Sequence, residues 1–143
     1  LMRIPMKVDY GVRALVDLAQ HAAHAPTRTA EIAARQYIPE PYLDQVLTTL
    51  NKFGFIHSRR GPNGGHVLAR PPEEISLGDV MAVLEGRSSP LDCIDEPSEC
   101  TLSAVCAQRE LWRDVEDAIQ GLLNTTSIAK LASRQLVLAT QLG

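Results

Sequence analysis

The segment Arg59-Arg60-Gly61-Pro62-Asn63-Gly64-Gly65 constrains the fold more than any other part of the chain. Glycine and Asn-Gly adopt positive φ at little cost, and two short runs, Phe55 to Arg60 and His66 to Arg70, flank them. This is the pattern of a β-hairpin. What precedes it has a different period.

From Val8 to Ala23 the apolar residues Val8, Val12, Leu15, Ala19 and Ala22 form the stripe of an amphipathic helix, which Pro26 breaks. Thr29 to Tyr37 reads as a second short helix, with Thr29 as its N-cap and Ile32, Ala33 and Tyr37 as its inner face. Pro39 and Pro41 start a third, because a first turn has amide positions without partners where proline is tolerated. Its buried face is Leu43, Val46, Leu47 and Leu50, and it stops near Gly54. Three helices and a hairpin in about 65 residues are the layout of a winged helix-turn-helix, in which the third helix enters the major groove and the hairpin is the wing.

Beyond the hairpin, Ser76 caps a short helix carrying Leu77, Val80, Met81 and Leu84, which Gly86 stops. From Arg87 to about Val105 no helical or strand pattern is evident; loops of that length are usually functional or disordered. A longer helix follows from about Ala107 to Leu123. Trp112, Val115, Ile119 and Leu122 line one stripe, and Arg109, Glu110, Arg113, Asp114, Glu116 and Asp117 charge the other face. Such a helix suits a dimer partner better than isolation. Ser127 caps a final short helix with Ile128 and Leu131. The expected fold is mainly α with a small β-hairpin. Residues 2–75 form a winged helix-turn-helix DNA-binding domain, and 76–143 a cysteine loop and dimerisation region.

The chain has 143 residues, enough for one domain or a small domain with an extension, and its 45 % hydrophobic and 22 % charged residues are ordinary globular composition. No stretch approaches the ~20 apolar residues that span a bilayer, and the N-terminus lacks a signal-peptide core. The expectation is a soluble, cytoplasmic protein without a membrane partner. The net charge of −3 is unevenly spread: residues 1–75 carry nine Lys/Arg against seven Asp/Glu, and residues 76–143 five against ten. The run from Gln45 to Pro72 holds Lys52, Arg59, Arg60 and Arg70 and no acid. Phosphate contacts depend on that local field, so the acidic average does not exclude DNA.

Two constellations carry chemistry. Arg59 and Arg60 stand at the hairpin's entry, where a wing meets phosphates or a minor groove, and Gly61, Asn63 and Gly64 shape a tip that can approach a duplex. The third helix adds Tyr42, Asp44, Gln45, Thr48 and Thr49 on or beside its exposed face. Gln reads adenine edges, Asp accepts from cytosine, and Tyr or Thr holds phosphates. Taken singly these residues are any surface helix; together with the wing they form a reading head. The second constellation is Cys93-x6-Cys100-x5-Cys106, which places every cysteine of the chain in one loop. An odd number cannot pair fully, and soft thiolates suit iron–sulfur clusters or zinc, although structural zinc prefers tighter pairs. Three reduced thiols with no ligand are the plain alternative. No Ser/His/Asp arrangement, GxxxxGK loop or HExxH motif marks an enzyme.

The start Met2-Arg3-Ile4 with Asp9-Tyr10-Gly11-Val12-Arg13-Ala14-Leu15, the wing, the triple cysteine and Leu111-Trp112-Arg113-Asp114 together resemble the IscR/NsrR/RirA family of bacterial regulators over nearly the whole chain. The resemblance implies a homodimeric winged-helix transcription factor on a roughly palindromic operator in double-stranded DNA. It also implies a 2Fe-2S or 4Fe-4S cluster held by Cys93, Cys100 and Cys106, reporting iron status, redox state or nitric oxide. One departure stands out. Where IscR-type members carry a histidine three residues after the last cysteine, this chain has Arg109, which cannot ligate at neutral pH. NsrR-type members use an acid near the N-terminus of the partner subunit, and Asp9 matches that position; its other reading is a first-turn acid favoured by the helix dipole. His21 and His24 are weaker candidates. The competing readings are a cluster-free regulator controlled by a metabolite, a partner protein or a thiol switch, and a zinc-binding interaction module.

Overall fold

The structure, a computed structural model, describes residues 3–21, 25–86 and 89–142. The sequence readings placed on Met2, Ala22, Ala23, His24 and Arg87 lie outside those residues.

Helix α1 (Met6–His21) is the centre of the molecule and sends Val8, Ala14, Leu15, Val16 and Leu18 into the core. Asp17 is buried among them, which an ionised carboxylate tolerates only with partners. The partners come from α2 (Thr29–Gln36): the Arg35 guanidinium donates twice, at 2.7 and 2.9 Å, and the Gln36 amide once, at 3.0 Å. A second tie runs from Arg13, whose guanidinium donates to the Gln36 carbonyl at 2.8 Å.

Both ends of α2 differ from expectation. Its N-cap is Arg28 rather than Thr29: the Glu31 carboxylate reaches back to the Arg28 amide at 3.2 Å, and the Thr29 hydroxyl instead meets the His66 ring. The helix ends at Gln36, and Tyr37 turns left-handed at φ 54° while the Ile38 amide closes on the Ala33 carbonyl at 3.0 Å. That turn swings Tyr37 off the inner face, leaving it 90 % exposed, and puts Ile38 into the core in its place.

Helix α3 (Glu40–Lys52) starts after Pro39, carries Pro41 in its first turn and buries Leu43, Val46, Leu47 and Leu50 as its spacing predicts. Strands β1 (Ile56–Arg59) and β2 (Gly65–Leu68) pair antiparallel, with Ile56 opposite Leu68 and Arg59 opposite Gly65. Thr27 adds a bridge on the far edge of β2: its amide donates to the His66 carbonyl at 3.0 Å, and its carbonyl accepts from the His66 amide at 2.7 Å. This closeness explains two wing glycines. A Cβ on Gly65 would lie 2.8 Å from the Thr27 carbonyl oxygen, and one on Gly64 would collide with the Arg59 carbonyl.

Helix α4 (Leu77–Leu84) is capped by the Ser76 hydroxyl, which accepts from the Asp79 amide at 3.1 Å. The span without a sequence pattern holds one helical turn, α5 (Asp92–Asp95), and 3-10 turns at Pro97–Glu99 and Ser103–Val105. Helix α6 (Ala107–Asn124) follows, then α7 (Ile128–Leu142), which Ser127 caps as expected but which is a full 15 residues rather than a short helix. Helix α7 crosses α1, burying Ile128 and Ala132, and the Gln20 amide donates to the Ala132 carbonyl at 3.1 Å. Ile75, Val80, Leu84, Ile128 and Ala132 thus share one apolar cluster with α1–α3. Helix α6 buries no residue along its 18-residue length; it leans on α4 and α5 and leaves Leu111 and Leu122 more than half exposed. No described helix is long and apolar enough to cross a membrane.

A left-handed residue with a Cβ carries a backbone penalty that glycine lacks. Tyr37→Gly is therefore expected to raise stability by about 0.5–1 kcal/mol, read as a higher denaturation midpoint. A lower midpoint would show that the exposed ring holds something in place.

Candidate nucleic-acid interface and cysteine loop

Helix α3 is positioned by its buried face, so the opposite face is turned out by the same periodicity. Tyr42, Asp44, Gln45 and Thr48 are all exposed, and Thr49 is half-buried beside them. The threonine hydroxyls are committed within the helix: Thr48 donates to the Asp44 carbonyl at 2.8 Å and Thr49 to the Gln45 carbonyl at 3.3 Å. They can still accept, and their methyl groups remain available. The donors left free on this face are the Gln45 amide and the Tyr42 phenol, neither of which makes a hydrogen bond among the described residues.

The wing brings Arg59, Arg60, Gly61 and Asn63 out beside α3, all exposed, while Gly64 is buried inside the turn. Neither Arg59 nor Arg60 forms an ion pair with a described residue, so both charges face solvent. Arg70, from the same acid-free run, is used otherwise: its guanidinium stacks 4.3 Å from the Phe55 ring centroid. Lys52 sits 5.7 Å from the Phe53 ring centroid at the end of α3.

Three residues that the sequence reading missed hold this surface together. The Asn51 side-chain oxygen accepts from the Ser58 amide at 3.2 Å and joins α3 to β1. The Arg28 guanidinium donates to the Gly61 carbonyl at 3.3 Å and to the Pro62 carbonyl, so the α2 N-cap grips the wing turn. The His66 ring lies between Ser58 (Nδ1 to Oγ, 2.7 Å) and Thr29 (Nε2 to Oγ1, 2.8 Å). Burial pushes His66 below the ordinary histidine value, and the Asp44 carboxylate pulls it partly back. The usable sequence signal was the register: a five-residue hairpin loop sets Ser58 opposite His66. The Arg28 contact spans more than 30 residues and leaves no local trace.

Cys93 lies on α5, Cys100 follows the first 3-10 turn, and Cys106 is the N-cap of α6. All three are free, half-buried thiols. The donor chemistry thus fits a soft metal centre, yet among the described residues no three His, Cys, Asp or Glu side chains gather at metal-binding distance. Arg109 is tied to the same loop, its Nε donating to the Cys93 carbonyl at 3.0 Å. Asp9 lies elsewhere, half exposed on the first turn of α1, with its carboxylate bridged to Arg13 at 2.7 and 3.0 Å. His21 is turned toward its own helix, Nδ1 lying 3.0 Å from the Asp17 carbonyl.

Residues 4–134 match the Rrf2 family, described as iron-dependent transcriptional regulators. The chain is 37 % identical over 130 residues to the rrf2 protein of Nitratidesulfovibrio vulgaris, covering 91 % of this chain and 87 % of that one. The solved structure of CymR, the global cysteine regulator of B. subtilis, superposes with a TM-score of 0.80 at 34 % identity, covering 94 % of this chain and 98 % of that one. T. potens IscR superposes with a TM-score of 0.76, also at 34 % identity, covering 94 % and 88 %. These relatives are regulators rather than enzymes, and their winged-helix fold is the one described above. The chain belongs to the Rrf2 family of DNA-binding transcriptional regulators.

Proposed function

We propose that this chain is a cytoplasmic transcriptional regulator that binds a roughly palindromic operator as a homodimer and adjusts its DNA affinity through an iron–sulfur cluster. The observation that carries the reading is the cysteine loop: Cys93, Cys100 and Cys106 are unpaired thiols on the one segment joining α4 to α6. The iron-dependent description of the family supports it. Bound there, a cluster would supply an assembly sensitive to iron supply, oxidants and nitric oxide. The loop's own residues do the rest. Cys106 caps the start of α6, and Ser89 reaches both Asp95 (2.7 Å) and Glu116 (3.3 Å) at mid-helix, so a change in loop shape acts on α6 at its start and its middle. A ligand shifts DNA affinity only by its different interaction with two protein states, and two anchored elements with a variable loop between them permit two states.

The fourth donor is assigned to the partner subunit's Asp9. Within its own chain that carboxylate orients Arg13, and Arg13 holds the carbonyl of Gln36 at the end of α2. An Asp9 drawn away from Arg13 therefore loosens a tie between α1 and the helix-turn-helix.

A second reading is favoured by Arg109, which stands in the first turn of α6 at the position of a further ligand and bonds to the Cys93 carbonyl, and by the likeness to CymR. In that reading the regulator is cluster-free and answers to a metabolite, a partner protein or thiol oxidation. A zinc-binding module is the third outcome. Iron, sulfide and zinc content with visible absorbance after anaerobic purification separate the three. Stoichiometric iron and sulfide are expected; zinc at full occupancy without sulfide, or no metal after anaerobic reconstitution, would remove the cluster.

Cys93→Ala, Cys100→Ala and Cys106→Ala should each abolish stable cluster binding, whereas Asp9→Ala should leave folding and dimerisation intact and give a more labile cluster or an altered spectrum. An Asp9→Ala cluster indistinguishable from wild type would overturn that ligand alone. Arg60→Ala should weaken operator binding and reduce the salt slope by about 1, because an unpaired wing cation displaces roughly one counterion. Unchanged affinity across a salt titration would take the wing out of the interface. Gln45→Ala should relax base preference at one position per half-site by about 1–3 kcal/mol, measured by competition between single-base variants of the operator. Uniform loss on all duplexes would assign Gln45 to the backbone instead.

A further inference from the structure

A two-stranded hairpin is marginal by itself, so the wing stands where its attachments put it. Those on its backbone are the Thr27 bridge, the Asn51 bond to Ser58 and the Arg28 bonds to the turn carbonyls. The His66 ring adds a side-chain link of a different kind. A neutral imidazole has one donor and one acceptor, and each of its nitrogens here lies at hydrogen-bond distance from a hydroxyl that can play either part. Nδ1 stays within the hairpin, on Ser58 of the strand that carries Arg59. Nε2 leaves the hairpin and reaches Thr29 in the first turn of α2.

We propose that His66 is the positioning residue of the wing, fixing its height over α3 through the bond between its Nε2 and the Thr29 hydroxyl. With that bond in place Arg59 and Arg60 are held beside the exposed face of α3 before DNA arrives, and binding does not have to order them. Without it the hairpin still forms, because register and backbone bridge remain, but it swings on its remaining attachments. The proposal rests on the reading that the wing touches DNA.

The amide side chains separate the two bonds. Asparagine reproduces the Nδ1 position and so keeps only the bond to Ser58; glutamine reproduces Nε2 and keeps only the link to Thr29. Affinity is read on a duplex selected from a random library with the wild-type protein, and on a random duplex of equal length. His66→Asn and Thr29→Val should each weaken binding to the selected duplex about five- to tenfold, the loss of one ordering hydrogen bond. His66→Gln should stay within about twofold of wild type. The double variant Thr29→Val/His66→Asn should be no weaker than either single, because both remove the same bond. Circular dichroism melts should stay close to wild type, and if His66→Asn does not fold, Thr29→Val carries the test alone. A strong His66→Asn with a weak His66→Gln would place the effect on Ser58 and overturn the proposal. Wild-type affinity for both Thr29→Val and His66→Asn, with Arg60→Ala weakened, would overturn it too while sparing the wing; Arg60→Ala at wild-type affinity would overturn both.

Discussion

The buried carboxylate of Asp17 sets the geometry on which the candidate DNA-facing surface depends. Its side chain is fully enclosed on α1, and its three hydrogen bonds all come from the last turn of α2. Apolar contacts alone would let α2 slide along α1 with little penalty. A buried charge does not, because leaving it without partners costs several kcal/mol. The bidentate Arg35 fork fixes both distance and rotation, and Arg13 repeats the constraint from one turn earlier. Helix α3 follows α2 after a three-residue turn, so its exposed face inherits that fixed angle.

The wing obeys the same logic with weaker bonds. Its contacts to α2 and α3 are made by neutral groups or by backbone carbonyls, and the two charges proposed to meet DNA form no ion pair with a described residue. Arg28 shows the division of labour: a cation at the α2 N-cap is spent on the Gly61 and Pro62 carbonyls, and Arg59 and Arg60 stay open. A basic count over residues 45–72 therefore overstates what is available to phosphate, since Arg70 stacks on Phe55, whereas Lys52 stays exposed beside Phe53.

What was legible in the sequence was whatever periodicity and turn chemistry express locally. The buried face of α3, the hairpin, and the caps at Ser76 and Ser127 all follow from neighbours within a few residues. On α1 the stripe gives Val8 and Leu15, but Val12 and Ala19 are only half-buried, and Ala14, Val16 and Leu18 enter the core beside them. Errors came where a helix ends or continues without a burial signal. Tyr37 stands in phase with Ile32 and Ala33, but the chain has already left the helix, and one left-handed residue inverts its side chain. Helix α7 runs on past Leu131 although Leu136, Val137 and Leu138 find no core, so nothing in an inward-facing stripe announced it. In the candidate site, exposed residues could be named from the helix and wing pattern, and the hairpin register sets Ser58 beside His66, whereas Arg28, Asn51 and the His66 link to Thr29 act through contacts that only the folded chain creates.

Helix α6 gives the last step. Eighteen residues without one buried side chain are not held by their own burial, and a helix in a protein takes most of its stability from packing an apolar face. Its C-terminal end is pinned, because Leu77 donates to the Thr126 carbonyl at 2.9 Å and Ile128 to the Ile75 carbonyl at 2.8 Å. Its N-terminal end has only the cysteine loop. Leu111 and Leu122, with half-buried Val115 and Ile119 between them, leave an apolar stripe uncovered along the middle. In the proposed homodimer a second copy covers that stripe, so α6 gains its stability from association and its position from the loop. A centre bound to the three thiols would then act at the free end of a helix whose other end is fixed to the DNA-binding core. The lever exists in the covalent order of the chain: loop, helix, pin. In the proposed homodimer that order would let a small change among Cys93, Cys100 and Cys106 alter how the two DNA-binding units are spaced without touching either one.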